Sequence, residues 1–140
     1  MIVQPYLNFA GRCEEALNFY RAVLGAEVTM MLRFKDAPAM VPPREGPPAE
    51  KIMHSELRIG ETTIFATDGE NSGHATFSGT SLTLGVSTDA EAVRLFANLS
   101  EGGKVTMPMT KTFFASSFGM LTDRFGVTWM VMAPAEGAPS

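Results

Sequence analysis

The chain has 140 residues, with 15 acidic side chains against 11 basic ones and a formal net charge of −4. That balance argues against a nucleic-acid partner, because nothing supplies a basic stripe to neutralise phosphates. No apolar run approaches the roughly 20 residues of a membrane-spanning helix, and the single cysteine, Cys13, permits neither an internal disulfide nor a thiolate metal cluster.

The opening stretch, MIVQPYLNF, lacks the basic region and small-residue cleavage site of a secretory signal. With the lone cysteine this predicts a cytoplasmic protein of one structural domain, long enough to bury roughly two thirds of its unfolded surface. Residues 2–9 alternate Val3, Pro5, Leu7 and Phe9 against Gln4, Tyr6 and Asn8, which predicts a strand. Pro5 donates no ladder bond, so the strand lies at an edge or leaves that position unpaired.

Residues 13–24 form an amphipathic helix. Cys13, Ala16, Leu17, Phe19, Tyr20, Val23 and Leu24 share one face, Glu14 and Glu15 suit the positive end of its dipole, and Gly25 stands just beyond the C-cap. A strand follows at 26–34. Residues 35–50 carry five of the nine prolines without periodicity, as a lid, a binding loop or a plain surface insertion would. Strands 51–59 and 62–67 make a hairpin round Gly60-Glu61, a II′-type turn with glycine first.

The polar, Gly-rich stretch 68–79 links two halves. Beyond it, 80–86 reads as a strand and 89–101 as a helix, capped by Thr88 or Asp89 and stopped by Gly102-Gly103. Strands follow at 104–107, 116–122 and 127–132. The last is preceded by Asp123-Arg124-Phe125-Gly126, a tight turn in which Asp123 bonds its own downstream backbone. In that strand Val127, Trp129 and Val131 oppose Thr128, Met130 and Met132, one face for a helix and one for a pocket.

The second half repeats the first. Ala16-Leu17 matches Ala92-Val93, Phe19-Tyr20 matches Leu95-Phe96, and Val23 matches Leu99; Val28-Thr29-Met30 recurs as Val105-Thr106-Met107. The expected organisation is a first βαβββ module at 1–68, a linker at 69–79, a second module at 80–134 and a tail at 135–140. The fold class is α+β.

Pro5-Tyr6-Leu7-Asn8-Phe9 with Glu15-Ala16-Leu17-Asn18-Phe19-Tyr20, Gly102-Gly103-Lys104-Val105 with Met107-Pro108, and Asp123-Arg124-Phe125-Gly126-Val127-Thr128-Trp129 cover nearly the whole chain. Together with the doubled module they resemble the vicinal oxygen chelate superfamily of glyoxalases, bleomycin-resistance proteins and dioxygenases, in its PhnB-like branch. Members often carry a 3-demethylubiquinone methyltransferase label, although this sequence has no glycine-rich strand-turn-helix loop of the kind that holds S-adenosylmethionine.

The resemblance implies a cleft formed by curved sheets, usually in a homodimer, and in active members a divalent metal held by the first and last strand of each module. Position by position, those ligands fall on Gln4 (or Pro5), Phe65 (or Ala66), Ser81 and Met130. Amide, ring, hydroxyl and thioether do not make a site for a hard or borderline ion, so no metal or other cofactor is expected.

Strand 52–59 places His54, Glu56 and Arg58 on one face. Neighbours two apart are about 7 Å apart, so Glu56 is placed to orient His54 as an acid/base pair; a polar ladder on a wet sheet face is the simpler reading. His74, in the linker, reads as solvated and Cys13 as packed. The methionines of the strands, with Phe65 and Trp129, read first as core and second as a flexible apolar pocket. Two functions follow. One is a metal-independent module sequestering a small, partly apolar or aromatic molecule, with Tyr6, Phe65, Trp129 and Met130 as contacts, Gln4 as a hydrogen-bond partner and Ser81 beside them. The other is a glyoxalase-like lyase or isomerase using His54 and Glu56, or an atypical metal.

Overall fold

The structure, a computed structural model, describes residues 1–36, 49–69 and 71–135. It divides into two compact units, Met1–Thr76 and Phe77–Ser140, each built round one four-stranded sheet. The first holds β1 (Tyr6–Asn8), α1 (Cys13–Leu24), β2 (Glu27–Arg33), β3 (Ile52–Ile59) and β4 (Thr62–Thr67); the second holds β5 (Ser81–Gly85), α2 (Asp89–Ser100), β6 (Lys104–Thr110), β7 (Ala115–Thr122) and β8 (Thr128–Pro134). Both sheets have the same strand order, β1-β4-β3-β2 and β5-β8-β7-β6, with the first pair parallel and the others antiparallel. The fold is therefore α+β, two tandem βαβββ modules in open sheets.

Each helix packs where its apolar stripe directs it. Cys13, Ala16, Leu17, Phe19 and Tyr20 of α1 are buried with Leu7, Leu57, Ile64 and Ala66 of the first sheet. In the second module Ala92, Leu95, Phe96 and Leu99 of α2 are buried with Leu121, Trp129, Val131 and Ala133. Gly119 of β7 makes that approach possible, since a Cβ there would come within 2.5 Å of the Met109 sulfur and 2.7 Å of Phe96 Cε2. Gly25 closes α1 in the left-handed region, at φ 65°, and Thr88 caps α2 by accepting from the Glu91 amide at 3.2 Å.

Strand ends differ from the sequence reading for local reasons. Strand β1 starts only at Tyr6, because Pro5 has no N–H; its carbonyl still accepts from the Phe65 amide at 2.9 Å. Strand β6 continues through Pro108 to Thr110, since it is the terminal strand of its sheet and tolerates a missing donor. Residues 34–36 form a single 3₁₀ turn, and the Phe34 and Lys35 amides donate to the Lys51 and Ala49 carbonyls, which joins the two sides of the Pro-rich stretch. The loop expected at 35–50 lies for the most part (37–48) outside the described residues, as do 136–140 of the expected tail.

The repeated tripeptide has a structural meaning. Val28 pairs with Leu57 and Met30 with Glu56, while Val105 pairs with Leu121 and Met107 with Met120, so each sheet has a register shift across the Thr of its Val-Thr-Met. The duplicated letters mark a duplicated bulge.

Candidate functional site

In each sheet one face meets the helix and the other, the outer face, is turned from it. Pairing aligns the outer faces residue by residue. In the first module Tyr6 stands beside Phe65, Phe65 opposite Glu56, and Glu56 opposite Met30. The matching row of the second module is Thr83, Met130, Met120 and Met107. On the helix side the pairs Val28–Leu57 and Val105–Leu121 scarcely differ. The helix side changes at single positions, Ile64 being matched by Trp129, whereas on the outer row only the methionine of the tripeptide recurs.

The first module's outer face gathers three rings. Tyr6, His54 and Phe65 have centroids 5.5 Å (Tyr6–His54), 5.7 Å (Tyr6–Phe65) and 5.3 Å (His54–Phe65) apart, tilted at 54°, 63° and 49°. The Tyr6 hydroxyl shares a hydrogen bond with His54 Nδ1 at 2.7 Å. Tyr6 remains 53% exposed, and partial burial of its hydroxyl is the main cause pushing the phenol above its ordinary pKa. With Nδ1 engaged, His54 presents Nε2 as its remaining polar atom.

The pairing expected within β3 is replaced. Alternation does put His54 and Glu56 on the outer face, with Ser55 and Leu57 buried opposite. The partner of His54 is nonetheless Tyr6, whose long side chain reaches across β4, whereas neighbours two apart on one strand diverge by about 7 Å. Among the described residues the Glu56 carboxylate makes no hydrogen bond or ion pair; the side-chain bond that reaches this residue runs from Thr29 Oγ1 to its backbone carbonyl. Arg58, next along that face, is engaged by Glu27 of β2.

Gln4 lies two residues before Tyr6 and donates from Nε2 to the Thr63 carbonyl at 3.2 Å. Ser81 is exposed at the start of β5, beside Thr128, and Met130 is half-buried between Thr83 and Met120. By register Gln4 and Ser81 are equivalent, as are Phe65 and Met130, so the positions to which the resemblance assigns a metal are consistent between modules. Their donors do not fit that metal: none is an imidazole, carboxylate or thiolate. Among the described residues no three His, Cys, Asp or Glu side chains gather as a metal site requires.

Trp129 corrects the sequence reading. It is 2% exposed, faces the helix with Val127 and Val131, and donates its indole N–H to Asp123 Oδ2 at 2.9 Å. Adjacent residues of a strand point to opposite faces, so Trp129 and Met130 do not share a ligand, and Trp129 belongs to the core. His74 is exposed, and its amide donates to Ser72 Oγ.

Cys13 is fully buried at the start of α1, 3.8 Å from Ser55 Oγ, and burial pushes its thiol up to about 12. The thiol thus stays protonated, and the nucleophilic thiolate is scarce, in neutral solution. The folded protein is therefore expected to resist iodoacetamide, while the denaturant-unfolded chain takes up one adduct, read by intact mass. Rapid labelling of the native protein would contradict this burial.

Sequence reasoning missed one buried anchor and one long-range bond on the outer face. Asp68, the first residue of the stretch read as a polar linker, is 1% exposed and accepts from the amides of Gly11, Cys13 and Ile52 at 2.7–2.8 Å. The Tyr6–His54 bond joins residues 48 apart, and only the parallel pairing of β1 with β4 brings them together.

Residues 2–132 match the family model described as 3-demethylubiquinone-9 3-methyltransferase. Protein YjdN of Escherichia coli K12 is 37% identical over 138 residues, covering 94% of each chain. The crystal structure of protein PA1353 from Pseudomonas aeruginosa superposes with a TM-score of 0.81 at 42% identity, over 96% of this chain and 98% of that one. A Bacillus cereus PhnB protein, described as a putative 3-demethylubiquinone-9 3-methyltransferase, has a TM-score of 0.77 at 24% identity, over 95% and 99%, and shows the shared fold.

Proposed function

The chain belongs to the 3-demethylubiquinone-9 3-methyltransferase family, the PhnB-like branch of the glyoxalase/bleomycin resistance superfamily, and on that premise we propose that it is a small-molecule binding module working without a bound metal. The observation carrying this reading is the Tyr6–His54–Phe65 cluster: ring surface on an outer face, fixed by a hydrogen bond, with an imidazole nitrogen left to orient a ligand. Gln4 is the nearby amide, and Ser81 and Met130 hold the equivalent places in the second module. The ligand is small and partly apolar or aromatic. A cytoplasmic homodimer belongs to the same reading, on the resemblance and the acidic, single-cysteine composition.

Methyl transfer is not part of this proposal. The sequence lacks a glycine-rich cofactor loop, and the Gly11 and Cys13 amides, at the helix end where a nucleotide-like group would dock, already bond Asp68. A second reading keeps the fold catalytic. With Nδ1 held by Tyr6, His54 is oriented as a general base or acid through Nε2, with Glu56 nearby on the strand.

A ligand screen read by the ring signals of Tyr6, His54 and Phe65 tests both. A bound small molecule is expected whose affinity survives a chelator and falls roughly tenfold in Phe65→Leu. Metal retained at one equivalent per chain and required for binding would overturn the metal-independent reading. Substrate turnover lost in His54→Ala would decide for the enzyme.

A further inference from the structure

We propose that the outer face of the first module selects a cation, an ammonium group carried on a small apolar or aromatic body. This rests on the binding reading above and narrows its ligand. Three features converge. The ring centroids of Tyr6, His54 and Phe65 make a triangle of sides 5.3, 5.5 and 5.7 Å. One cation resting over it falls within about 6 Å of every ring, the range in which the negative face of an aromatic attracts charge. The Tyr6 hydroxyl, bonded to His54 Nδ1, fixes two of the three rings against each other, so little ordering is left for the ligand to impose.

Glu56 supplies the charge. It stands directly opposite Phe65 in the β3–β4 pairing, so its carboxylate leaves the sheet beside the cluster. Among the described residues that carboxylate has no ion pair, although the acids of neighbouring elements do: Glu27 holds Arg58, and Glu14 holds Arg33. Arg58, two residues along the same face, is thereby occupied by another strand. A carboxylate on a half-buried residue beside three rings, lacking a counter-ion among the described residues, is the complement of an ammonium group. An anion would meet repulsion from both, and a neutral aromatic would meet the rings alone. The second module has Met120 and Met130 at the places of Glu56 and Phe65, which assigns the preference to the first module.

The test uses three probes with one body: phenethylammonium, 2-phenylethanol and phenylacetate, titrated into the full-length protein and followed by the ring signals of Tyr6, His54 and Phe65. Phenethylammonium is expected to bind roughly tenfold tighter than the alcohol, with phenylacetate weakest. In Glu56→Gln the ammonium should fall to the level of the alcohol while the alcohol is unchanged; because that carboxylate has no partner to lose, the variant should fold as the parent does. Equal binding of alcohol and ammonium, tighter binding of phenylacetate, or an ammonium affinity unaltered in Glu56→Gln overturns the cation preference and leaves the binding reading standing. If no probe moves any of the three rings up to about 10 mM, a concentration at which even millimolar affinity registers, the binding reading falls and the preference with it.

Discussion

Asp123→Ala is expected to lower stability by about 4 kcal/mol, a fall in melting temperature of roughly 10–15 °C, because it strips the acceptor from buried donors costing about 1–3 kcal/mol each. Asp123 is 3% exposed; its Oδ1 accepts from the Phe125 and Val127 amides at 2.9 and 3.1 Å, and its Oδ2 from the Trp129 indole at 2.9 Å. The first two bonds shape the turn into β8, and the third fixes the large ring of the core in place. Asp123→Asn separates these roles: one carboxamide face still accepts from the turn, and the other sets N–H against the indole N–H. In a double-mutant cycle Trp129→Phe should then relieve Asp123→Asn, with a coupling of about 1–2 kcal/mol. Trp129 is the only tryptophan in the chain, so its fluorescence follows unfolding of the parent and the Asp123 variants, and far-UV circular dichroism follows all four proteins of the cycle, including those with Trp129→Phe. Additive effects, or a loss in Asp123→Ala under about 1 kcal/mol, would mean that packing rather than the carboxylate holds the turn.

Where local rules decide, the sequence was sufficient. The span of α1 follows from a 3.6-residue apolar period ended by Gly25, and the turn at Gly60 follows from a residue that takes φ 58° without cost. The tripeptide repeat pointed to duplication, and the structure adds its reason in the bulges after Val28 and Val105. What was illegible depends on long-range contact. Asp68 sits among Gly, Asn and Ser, so composition reads it as solvated, and only the return of α1 and β3 to one point buries it. Glu56 was matched to His54 by spacing along one strand, while the partner that prevails, Tyr6, comes from a strand whose placement no local pattern reveals. The ring of Trp129 suggests a ligand contact, whereas its alternation with Val127 and Val131 places it on the apolar face that the structure buries.

The same comparison separates the two faces of each sheet. Between the modules the helix-facing pair Val28–Leu57 recurs as Val105–Leu121 and Ile64 is matched by Trp129, so that side stays buried, while the outer row changes from Tyr6, Phe65, Glu56, Met30 to Thr83, Met130, Met120, Met107. A duplicated scaffold must keep its helix-facing side apolar to fold, and its outer face is under no such constraint. The first module used that freedom to assemble rings, an imidazole and a carboxylate, and the second to assemble thioethers, which adapt their shape to what they touch.

That face is only as rigid as the module beneath it, and Asp68 ties the module together. Its Oδ1 accepts from the Gly11 and Cys13 amides at the start of α1, its Oδ2 from the Ile52 amide at the start of β3, and its own amide donates to the Ile52 carbonyl at 2.8 Å. Arg12 stands at the N-cap of α1 and has no oxygen with which to cap, so a carboxylate from beyond β4 takes the role and sets its charge at the positive end of the helix. Asp68→Asn has one acceptor where two are used, so either the helix end or Ile52 must face an N–H₂ group. A loss of about 3 kcal/mol is expected, with faster hydrogen exchange at the Gly11, Cys13 and Ile52 amides and with Cys13 becoming accessible to iodoacetamide as the helix end opens. Glu15→Gln, which removes an exposed first-turn charge paired with Arg12, should change stability by no more than about 0.5 kcal/mol. If the two variants proved equally mild, helix packing alone would be holding the module. If Asp68→Asn destabilised it without exposing Cys13, the carboxylate would be anchoring β3 rather than the helix.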